Sequence, residues 1–379
     1  MKIPYGRQWI DQDDIEAVVK VLQSDWLTQG PDVSDFERAF AEYIGCQYAV
    51  AFNSGTSALH GAMYAAGVGE GDETITTPIT FVASANCGMY LGARPVLSDI
   101  SLDTYCIDID KIEEKITEKT KVIVPVDLAG YPVDIERIMA IAEKHNLIVV
   151  EDAAHALGAF RNGVKVGNKA DMTMFSFHPV KHITTAEGGI ITTNDPAYYE
   201  SLNLFRSHGI TKDPNRLEKN DGPWYYEMQK PGYNYRITDM QCALGLTQLQ
   251  KIEKFIKRRI ELADRYDQAF EENSMITTPP RPEGQDSRHV FHIYPILLDE
   301  SLDRKEVFLK LREKGILCQV HYVPVNHHPF YKDRFGYKEQ DFEQANNYYK
   351  RVITIPLFPK MTDEEQLYVI KTINELTEP

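Results

Sequence analysis

The sequence predicts an α/β fold built around a mostly parallel β-sheet. Short apolar segments alternate along the chain with helical segments, and this alternation is typical of βαβ units. The chain has 379 residues and 43% hydrophobic content, which is long and apolar enough for a large domain with a sizeable core and a smaller domain. The strands predicted in the alternating part are residues 74–77, 95–98, 122–126, 147–151, 172–176 and 189–193.

Two helical patterns and a strand-turn-helix unit come before the alternating part. Apolar residues at helical spacing predict amphipathic helices over residues 14–22 and 33–43. Tyr48–Phe52 then reads as a strand, and a helical pattern covers residues 58–66.

The C-terminal third has a different organisation. Residues 211–235 are rich in Lys, Asp, Pro, Gly and aromatic residues and predict a long loop, which in a compact chain is usually functional or mobile. Residues 238–270 have one long helical pattern. We therefore divide the chain into a large domain, residues 1–250, and a smaller α+β domain, residues 251–379. The elements predicted in the smaller domain are a Pro-rich turn at residues 278–282, a strand at 289–298 and a helix at 304–314.

Lys181 and Asp152 point most directly to a chemistry. Asp152 ends the apolar run 146–152, which reads as a strand buried on both faces, and ligands of open α/β sheets bind at the carboxyl ends of such strands. Pyridoxal phosphate is held as a Schiff base to a lysine amine, and a buried aspartate commonly keeps its pyridine nitrogen protonated. The pair suggests a pyridoxal phosphate site. Taken singly, each residue also fits a solvated strand-end acid or a surface lysine.

A glycine turn after the first strand could hold a phosphate. Gly55, Thr56 and Ser57 follow the strand and open a helical pattern, so free backbone N–H groups and hydroxyls would face an anion there. The alternative is an ordinary helix N-cap. Ser176, five residues before Lys181 on a predicted strand, could supply a further hydroxyl.

Charge and hydropathy exclude several classes of protein. The chain has 41 Lys and Arg against 56 Asp and Glu, and a net charge of −15 repels phosphate backbones, so we expect no nucleic-acid partner. No segment approaches the roughly 18 consecutive apolar residues of a membrane span. Residues 1–5 lack the apolar core of a signal peptide. We expect a soluble cytoplasmic protein that has no membrane partner.

Neither a disulfide framework nor a metal site is expected. The cysteines are scattered and form no CxxC motif, so we interpret them as reduced and structural. His321, His327 and His328 are close in sequence, but adjacent histidines point apart on a strand and the nearby acids lack ligand spacing. The five cysteines are Cys46, Cys87, Cys106, Cys242 and Cys318.

Together these segments resemble the sugar aminotransferases of the DegT/DnrJ/EryC1/StrS family, a branch of the type I pyridoxal phosphate enzymes. The resemblance covers nearly the whole chain, and the order and spacing of its motifs are more specific than any one motif. It implies an aspartate aminotransferase-like fold with a large domain and a smaller C-terminal α+β domain. The matching segments are residues 3–7, 53–59, 77–83, 151–158, 175–189, 232–241 and 321–324.

The resemblance assigns a role to each matching residue. Lys181 would carry the cofactor and act as acid and base, and Asp152 would face the pyridine nitrogen. Phe81 would lie against the cofactor face, with His155 close by. Asn234 would reach the phosphate of the neighbouring subunit's cofactor, which implies a homodimer with shared active sites, and a loop matching residues 211–235 helps close the partner's site. The phosphate-binding residues implied are Gly55, Thr56, Ser57 and Ser176.

The resemblance also implies the substrates. The amino donor expected is L-glutamate, and the acceptor is a keto sugar carried on a nucleotide, which needs locally placed basic residues in so acidic a chain. Residues 183–189 most resemble members that aminate C4 of a UDP-linked 4-keto-6-deoxy-N-acetylhexosamine in pseudaminic acid biosynthesis. Members acting on other 3-keto or 4-keto sugars share most of these residues, so that alternative stays open.

The sugar contacts are the least defined part of the resemblance. Many members have a histidine five residues after the position of His321, whereas this chain has Asn326 there. The substrate-binding candidates are Arg206, His321, Tyr322 and His328, and the alternative is that they are ordinary surface or interface residues.

Three other functions are alternatives to aminotransfer: sugar dehydration, regulation without catalysis, and cysteine desulfuration. Relatives that dehydrate the sugar have histidine in place of the lysine, whereas here Lys181 is present and His182 merely follows it. A non-catalytic pyridoxal phosphate-binding regulator would need an output element, and no helix-turn-helix or basic stretch is evident. A cysteine desulfurase would need a mobile reactive cysteine, and none of the five has that context.

Overall fold

The structure is a computed structural model that describes residues 2–284 and 286–377. The strands are β1 Ile3–Pro4, β2 Tyr48–Phe52, β3 Glu73–Thr76, β4 Arg94–Leu97, β5 Thr120–Val124, β6 Ile148–Asp152, β7 Phe160–Arg161, β8 Val164–Lys165, β9 Met172–Ser176, β10 Gly189–Thr193, β11 Ile210–Thr211, β12 Glu227–Met228, β13 Ile276–Thr277, β14 Tyr294–Leu298, β15 Ile316–Leu317 and β16 Val352–Ile355. The α-helices are α1 Gln12–Leu22, α2 Pro31–Ile44, α3 Gly55–Ala65, α4 Val82–Met89, α5 Ile135–His145, α6 Pro196–Arg206, α7 Asp239–Gln250, α8 Ile252–Phe270, α9 Arg304–Glu313, α10 Pro329–Phe335, α11 Glu343–Arg351 and α12 Asp363–Thr377.

A seven-stranded mixed sheet forms the centre of the large domain. Its strand order is β2-β10-β9-β6-β5-β3-β4, and all neighbours are parallel except that β10 runs antiparallel to both β2 and β9. The predicted α/β fold with a mostly parallel sheet is confirmed, and two of the predicted strands coincide with β9 and β10. Apolar residues line both faces because helices cover the sheet on both sides.

Several predicted site residues lie at the carboxyl edge of this sheet. Asp152 ends β6 and Ser176 ends β9, and these two parallel strands are adjacent. α3 begins at Gly55, three residues after β2 ends, and the N-cap of α4 is Phe81. The crevice at this edge therefore has strand ends on one side and helix starts on the other.

A second core belongs to the C-terminal part of the chain. β13, β14 and β16 form an antiparallel sheet, and apolar residues of α8, α9 and α12 pack against it. β1 pairs in parallel with β15, so the first strand of the chain lies beside this part. The division between residues 250 and 251 stays a prediction.

The helix predicted over residues 238–270 is wrong as a single element. It is divided at Lys251, whose φ of −100° and ψ of −2° depart from helical values. The Lys251 side chain lies 3.1 Å from the buried Asp14 carboxylate, which fixes the end of α7 against α1. α8 then begins at Ile252 and contributes to both cores.

The strand predicted over residues 289–298 is only half correct, because β14 begins at Tyr294. Phe291 has a φ of +46°, which is incompatible with a strand. The N–H of His292 donates to the carbonyl of Ala129, so this segment packs on a turn of the large domain before it enters the small sheet. The break brings His292 to the crevice.

The predicted loop 211–235 contains only the end of β11 and the short strand β12. It exposes several large apolar side chains, among them Trp224, which is 72% exposed. In the part of the chain that the structure describes, no helix combines the length and apolar character needed to cross a membrane.

Candidate active site

A cavity of about 460 Å³ lies at the carboxyl edge of the large sheet. It is walled by the ends of β6 and β9, the first turns of α3 and α4, the loop that carries Lys181, and residues 321–322 from the C-terminal part. The predicted site residues that line it are Gly55, Thr56, Phe81, Asp152, His155, Ser176, Lys181, His321 and Tyr322.

Asp152 is buried at the floor of this cavity. Ser84 Oγ donates to its Oδ2 over 2.6 Å, and the backbone N–H of Ala154 donates to its Oδ1 over 3.1 Å. Burial raises the pKa of Asp152, while these hydrogen bonds and the charge of Lys181 oppose that rise. A buried carboxylate with few donors is stabilised by a cation, so the site favours a positively charged group beside it.

Lys181 lies in the same cavity and is half-buried. Burial lowers the pKa of its amine to about 8, and the Asp152 carboxylate opposes part of that fall. About a tenth of the amine is therefore unprotonated at pH 7, far more than for an ordinary lysine, and an unprotonated amine is a nucleophile and a base. The fold brings Lys181 and Asp152 into one cavity although 29 positions separate them along the chain.

The start of α3 forms an anion-binding cradle. Ser54 caps the helix, so the N–H groups of Gly55 and Thr56 in its first turn have no partner within the helix. Gly55 lies close to Ser176, because a Cβ atom on Gly55 would be 3.4 Å from Ser176 Oγ. Two backbone donors and a serine hydroxyl thus converge on one corner of the cavity.

Ser57 does not join that cradle. Its hydroxyl donates to Asn53 Oδ1 over 2.7 Å, and its backbone N–H donates to the Ser54 hydroxyl over 3.1 Å. The second of these bonds belongs to a capping box, in which the Ser54 N–H also donates to the Ser57 hydroxyl. Ser57 lies beside the neighbouring surface, outside the cavity lining. Gly55 and Thr56 line the cavity, whereas the phosphate contact expected of Ser57 stays a prediction.

Aromatic and imidazole rings form the opposite wall. Phe81 is 57% exposed, which is unusual for a phenylalanine, and its ring centroid is 6.2 Å from that of Tyr322. The ring of His155 lies 4.2 Å from that of His292. An exposed ring at the mouth of a polar cavity offers a flat apolar surface to a planar ligand.

The hydrogen bonds of His155 orient Tyr322. The N–H of Ala129 donates to Nδ1 of His155 over 3.3 Å, so the neutral ring has its proton on Nε2. Nε2 lies 3.1 Å from the Tyr322 hydroxyl and donates to it, which leaves the tyrosine proton free to donate into the cavity. Burial lowers the pKa of His155 well below its usual range, so this arrangement persists at neutral pH.

His321 is held beside the same wall. Its Nδ1 lies 2.9 Å from the hydroxyl of Thr354, and burial lowers its pKa to about 4, with the charge of Lys181 adding to the effect. It is therefore a neutral, hydrogen-bonding side chain at neutral pH.

Besides Ser57, three predicted residues lie outside the cavity lining. Arg206 does not reach the cavity, because its guanidinium pairs with Glu37 and donates to the carbonyl of Ala51 over 2.6 Å. Its assignment as a substrate residue stays a prediction. His328 lines a separate groove, and Asn234 is exposed on the outside, next to Ser207.

Sequence reasoning missed Ser84, Tyr5 and His292, which all belong to the site. Ser84 is 68 residues from Asp152, and no local pattern marks a helix serine as a partner of a distant carboxylate. Tyr5 lies in a segment that matched the family but received no role. His292 was hidden by the wrong strand prediction.

The cysteine desulfurase alternative receives no support from Cys87, the cysteine whose pKa is affected by Asp152. Its thiol donates to the carbonyl of Ser84 over 3.1 Å, and burial raises its pKa to about 12. It is a protonated, structural thiol rather than a mobile nucleophile.

A model of the DegT/DnrJ/EryC1/StrS aminotransferase family matches residues 8–374. The chain belongs to this family. The UDP-4-amino-4,6-dideoxy-N-acetyl-beta-L-altrosamine transaminase of Campylobacter jejuni is 39% identical over 381 residues, which cover 99% of this chain and 98% of that protein.

Solved structures of family members agree with the fold. Helicobacter pylori PseC, an aminotransferase involved in the biosynthesis of pseudoaminic acid, superposes with a TM-score of 0.92 at 36% identity and full coverage of both chains. Streptococcus pneumoniae Spr1654 in its pyridoxal phosphate form gives 0.93 at 34% identity, covering 100% of this chain and 99% of that one. The predicted type I aminotransferase fold is confirmed, and the protein is a pyridoxal phosphate-dependent sugar aminotransferase.

The cavity of this DegT/DnrJ/EryC1/StrS aminotransferase fits its cofactor. It offers a half-buried amine of lowered pKa, a buried carboxylate that favours a cation, and the backbone donors of a helix start. When bound, pyridoxal phosphate supplies the electron sink that stabilises negative charge on a substrate carbon. A planar ring between Phe81 and the floor would have an apolar surface on one face.

The lowered pKa of Lys181 predicts a pH dependence for cofactor attachment. Only the unprotonated amine attacks, so the rate of attachment to the apoprotein should rise about tenfold per pH unit below about pH 8 and level off above it. Stopped-flow absorbance across the pH range measures this rate. A midpoint near 10.5, the ordinary lysine value, would contradict the burial of the amine.

Gly189 predicts a second effect, on cofactor affinity. A Cβ atom there would lie 2.7 Å from both Cα and N of Gly55, so Gly189→Ala must push the start of α3 away from the sheet. We expect Gly189→Ala to weaken pyridoxal phosphate binding about tenfold or more, because the backbone donors move. The control is Gly69→Ala, whose Cβ would meet nothing within 4 Å. Absorbance titration gives the affinity of each variant for pyridoxal phosphate. Equal affinities would refute the claim that the start of α3 binds the phosphate.

Proposed function

We propose that this enzyme transfers the amino group of L-glutamate to C4 of a UDP-linked 4-keto-6-deoxy-N-acetylhexosamine, as in pseudaminic acid biosynthesis. The observation that carries the aminotransfer is the placement of Lys181 and Asp152 in one buried cavity. The sugar is supported by the similarity to the UDP-4-amino-4,6-dideoxy-N-acetyl-beta-L-altrosamine transaminase of Campylobacter jejuni and to Helicobacter pylori PseC. At 39% identity, another nucleotide-linked 3-keto or 4-keto sugar is the alternative.

Each side chain of the cavity has a proposed role. Lys181 would hold the cofactor. It would move a proton from the α-carbon of the donor to the cofactor and, in the second half of the reaction, from the cofactor to C4 of the sugar. Asp152 keeps the pyridine nitrogen protonated, and Ser84 orients that carboxylate. Tyr322 donates its proton into the cavity, and His155 keeps it oriented. The proposed phosphate ligands are the N–H groups of Gly55 and Thr56 and the hydroxyl of Ser176.

We also propose that the site is completed by a second copy of the chain. Asn234 is exposed and does not line the cavity of its own chain, although the family resemblance gives it a phosphate contact. The loop 211–235, which contains Asn234, exposes Trp224, Tyr226 and Met228, which are 54–72% exposed in the single chain. Apolar side chains exposed to this extent are typical of contact surfaces. A homodimer with shared sites accounts for both observations.

The test is an absorbance cycle with the purified holoenzyme. L-glutamate should bleach the band of the lysine-bound cofactor, and one member of a panel of UDP- and dTDP-linked keto sugars should restore it and yield an amino sugar by mass spectrometry. Restoration by the UDP-linked 4-keto-6-deoxy-N-acetylhexosamine supports the proposal. Restoration only by another sugar would refute the substrate, and failure of every donor to bleach would favour a non-catalytic role.

A further inference from the structure

A second, much smaller cavity adjoins Lys181 and has no role in the reaction described above. Its volume is about 10 Å³, which is the room that one water molecule or one small ion needs. Its walls are the N-terminal segment 7–9, the loop 179–184 that carries Lys181, α7, α8 and Pro359. Lys181 lines both this cavity and the cofactor cavity.

Arg259 is the unusual residue of this small cavity. It lies on the buried face of α8 and is 1% exposed. One terminal nitrogen of its guanidinium donates to the carbonyls of Phe291, His292 and Leu357 over 3.0–3.3 Å. Its Nε has no hydrogen-bond partner among the described residues. Burial lowers the pKa of Arg259 to about 9, so the side chain remains positively charged at neutral pH.

No carboxylate balances this buried charge within residues 2–284 and 286–377. No Asp or Glu lines the small cavity, and burial alone shifts the pKa of Arg259. The neighbouring His182 is neutral, because burial lowers its pKa well below the usual range and the charges of Arg259 and Lys181 lower it further. Buried charges in proteins are generally paired, because an ion taken out of water without a counter-charge is strongly destabilised. A water molecule would satisfy the Nε–H but would leave the charge unbalanced.

A second guanidinium group lies at the solvent side of the small cavity. Arg7 lines it, is exposed, and pairs with no carboxylate in the part of the chain that the structure describes. A Cβ atom on Gly6 would be 3.5 Å from Val180 Cβ, so the segment that carries Arg7 packs on the loop that carries Lys181. In a chain with a net charge of −15, two arginines and a lysine around one cavity create a local positive potential.

We propose that the small cavity binds one monatomic anion, chloride in ordinary solutions, between the guanidinium groups of Arg259 and Arg7. The ion accepts the otherwise unpaired Nε–H of Arg259, and Arg7 covers it from the solvent side. By balancing the charge of Arg259 it stabilises the segment that Arg259 holds, which includes His292 of the cofactor cavity. The site is separate from the sugar and from the amino donor, so it does not depend on the proposed function.

Thermal unfolding of the holoenzyme in chloride and in gluconate, at equal ionic strength, tests the site. Gluconate is too large for a cavity of about 10 Å³, whereas an anion that binds only the folded protein raises Tm by mass action. At a chloride concentration roughly tenfold above its dissociation constant, Tm should be about 2 °C higher than in gluconate. Arg7→Gln should remove most of this difference. The matched control is Arg94→Gln, because Arg94 is also exposed and lies outside the small cavity, and this variant should keep the full difference.

Diffraction identifies the occupant of the small cavity. Crystals of the holoenzyme grown with bromide in place of chloride should show an anomalous peak beside Arg259 Nε, and the peak should be weaker or absent in Arg7→Gln. Arg259→Gln also removes the bonds to three carbonyls, so Arg7→Gln is the decisive variant.

Three results would overturn the proposal. The first is a water molecule at this position in bromide crystals. The second is an equal effect of chloride on Tm in the wild type and in Arg7→Gln. The third is a bromide peak without any effect of chloride on Tm, which would mean binding at crystal concentration only.

Discussion

Lys181→Ala should abolish turnover, with a loss of at least about 10⁴-fold, because the variant loses both the group that holds the cofactor and the acid and base of the reaction. No other lysine lines the cofactor cavity in the part of the chain that the structure describes. The measurement is the steady-state rate with L-glutamate and the accepted keto sugar, together with the absorbance spectrum after pyridoxal phosphate is added.

The control for Lys181→Ala is a lysine on the surface of α8. Lys257 is exposed and remote from the cavity lining, so Lys257→Ala should keep wild-type turnover. Circular dichroism must show that both variants are folded. A Lys181→Ala enzyme that still cycled at the wild-type rate would refute the assignment.

Asp152→Asn should have the second-largest effect. The asparagine keeps the size of the side chain but removes the charge that stabilises a protonated pyridine nitrogen. Breaking a buried charge pair costs about 3–5 kcal/mol, which corresponds to a loss of about 10²–10⁴-fold in turnover. The cofactor should still attach, since Lys181 is unchanged. Spectroscopic titration and steady-state kinetics measure attachment and turnover separately.

Glu151 provides a matched control for Asp152. It is the preceding residue of β6, its side chain points to the opposite face, and it accepts a hydrogen bond from Thr173 over 2.9 Å. Glu151 is as buried as Asp152 and burial raises its pKa to about 7, yet it lies outside the cavity lining. Glu151→Gln should therefore leave turnover nearly unchanged. If both variants lose activity equally, the effect is one of folding rather than of the pyridine nitrogen.

Asp152→Asn also shifts the pH dependence of attachment. The Asp152 carboxylate raises the pKa of Lys181 against the effect of burial. Removing the negative charge lowers that pKa further, so the midpoint of attachment moves to lower pH than in the wild type. A shift to higher pH would contradict the proximity of the two groups.

The parts of the site that the sequence revealed depend on short segments. Asp152 was recognisable because it ends a continuous apolar strand, and Gly55 because it follows a strand and opens a helix. The strands could be placed because their apolar runs are short and bounded. In each case the residues next to the site residue in the sequence determine the local structure, so that structure can be predicted from a short segment.

The parts that the sequence did not reveal depend on contacts between distant segments. Arg206 was expected at the substrate, but Glu37 on α2 pairs with it, and nothing near Arg206 in the sequence announces that partner. Ser84 supports Asp152 across 68 residues. The break at Lys251 arises from contact with α1, since the helical pattern itself continues through it.

The most direct test of the account locates the lysine that carries the cofactor. The holoenzyme is treated with sodium borohydride, which fixes pyridoxal phosphate to its lysine, and the digested protein is analysed by peptide mass spectrometry. The account predicts the modification on Lys181, and its loss when L-glutamate is added before the borohydride. Modification of a different lysine, or of none, would contradict the active site described here.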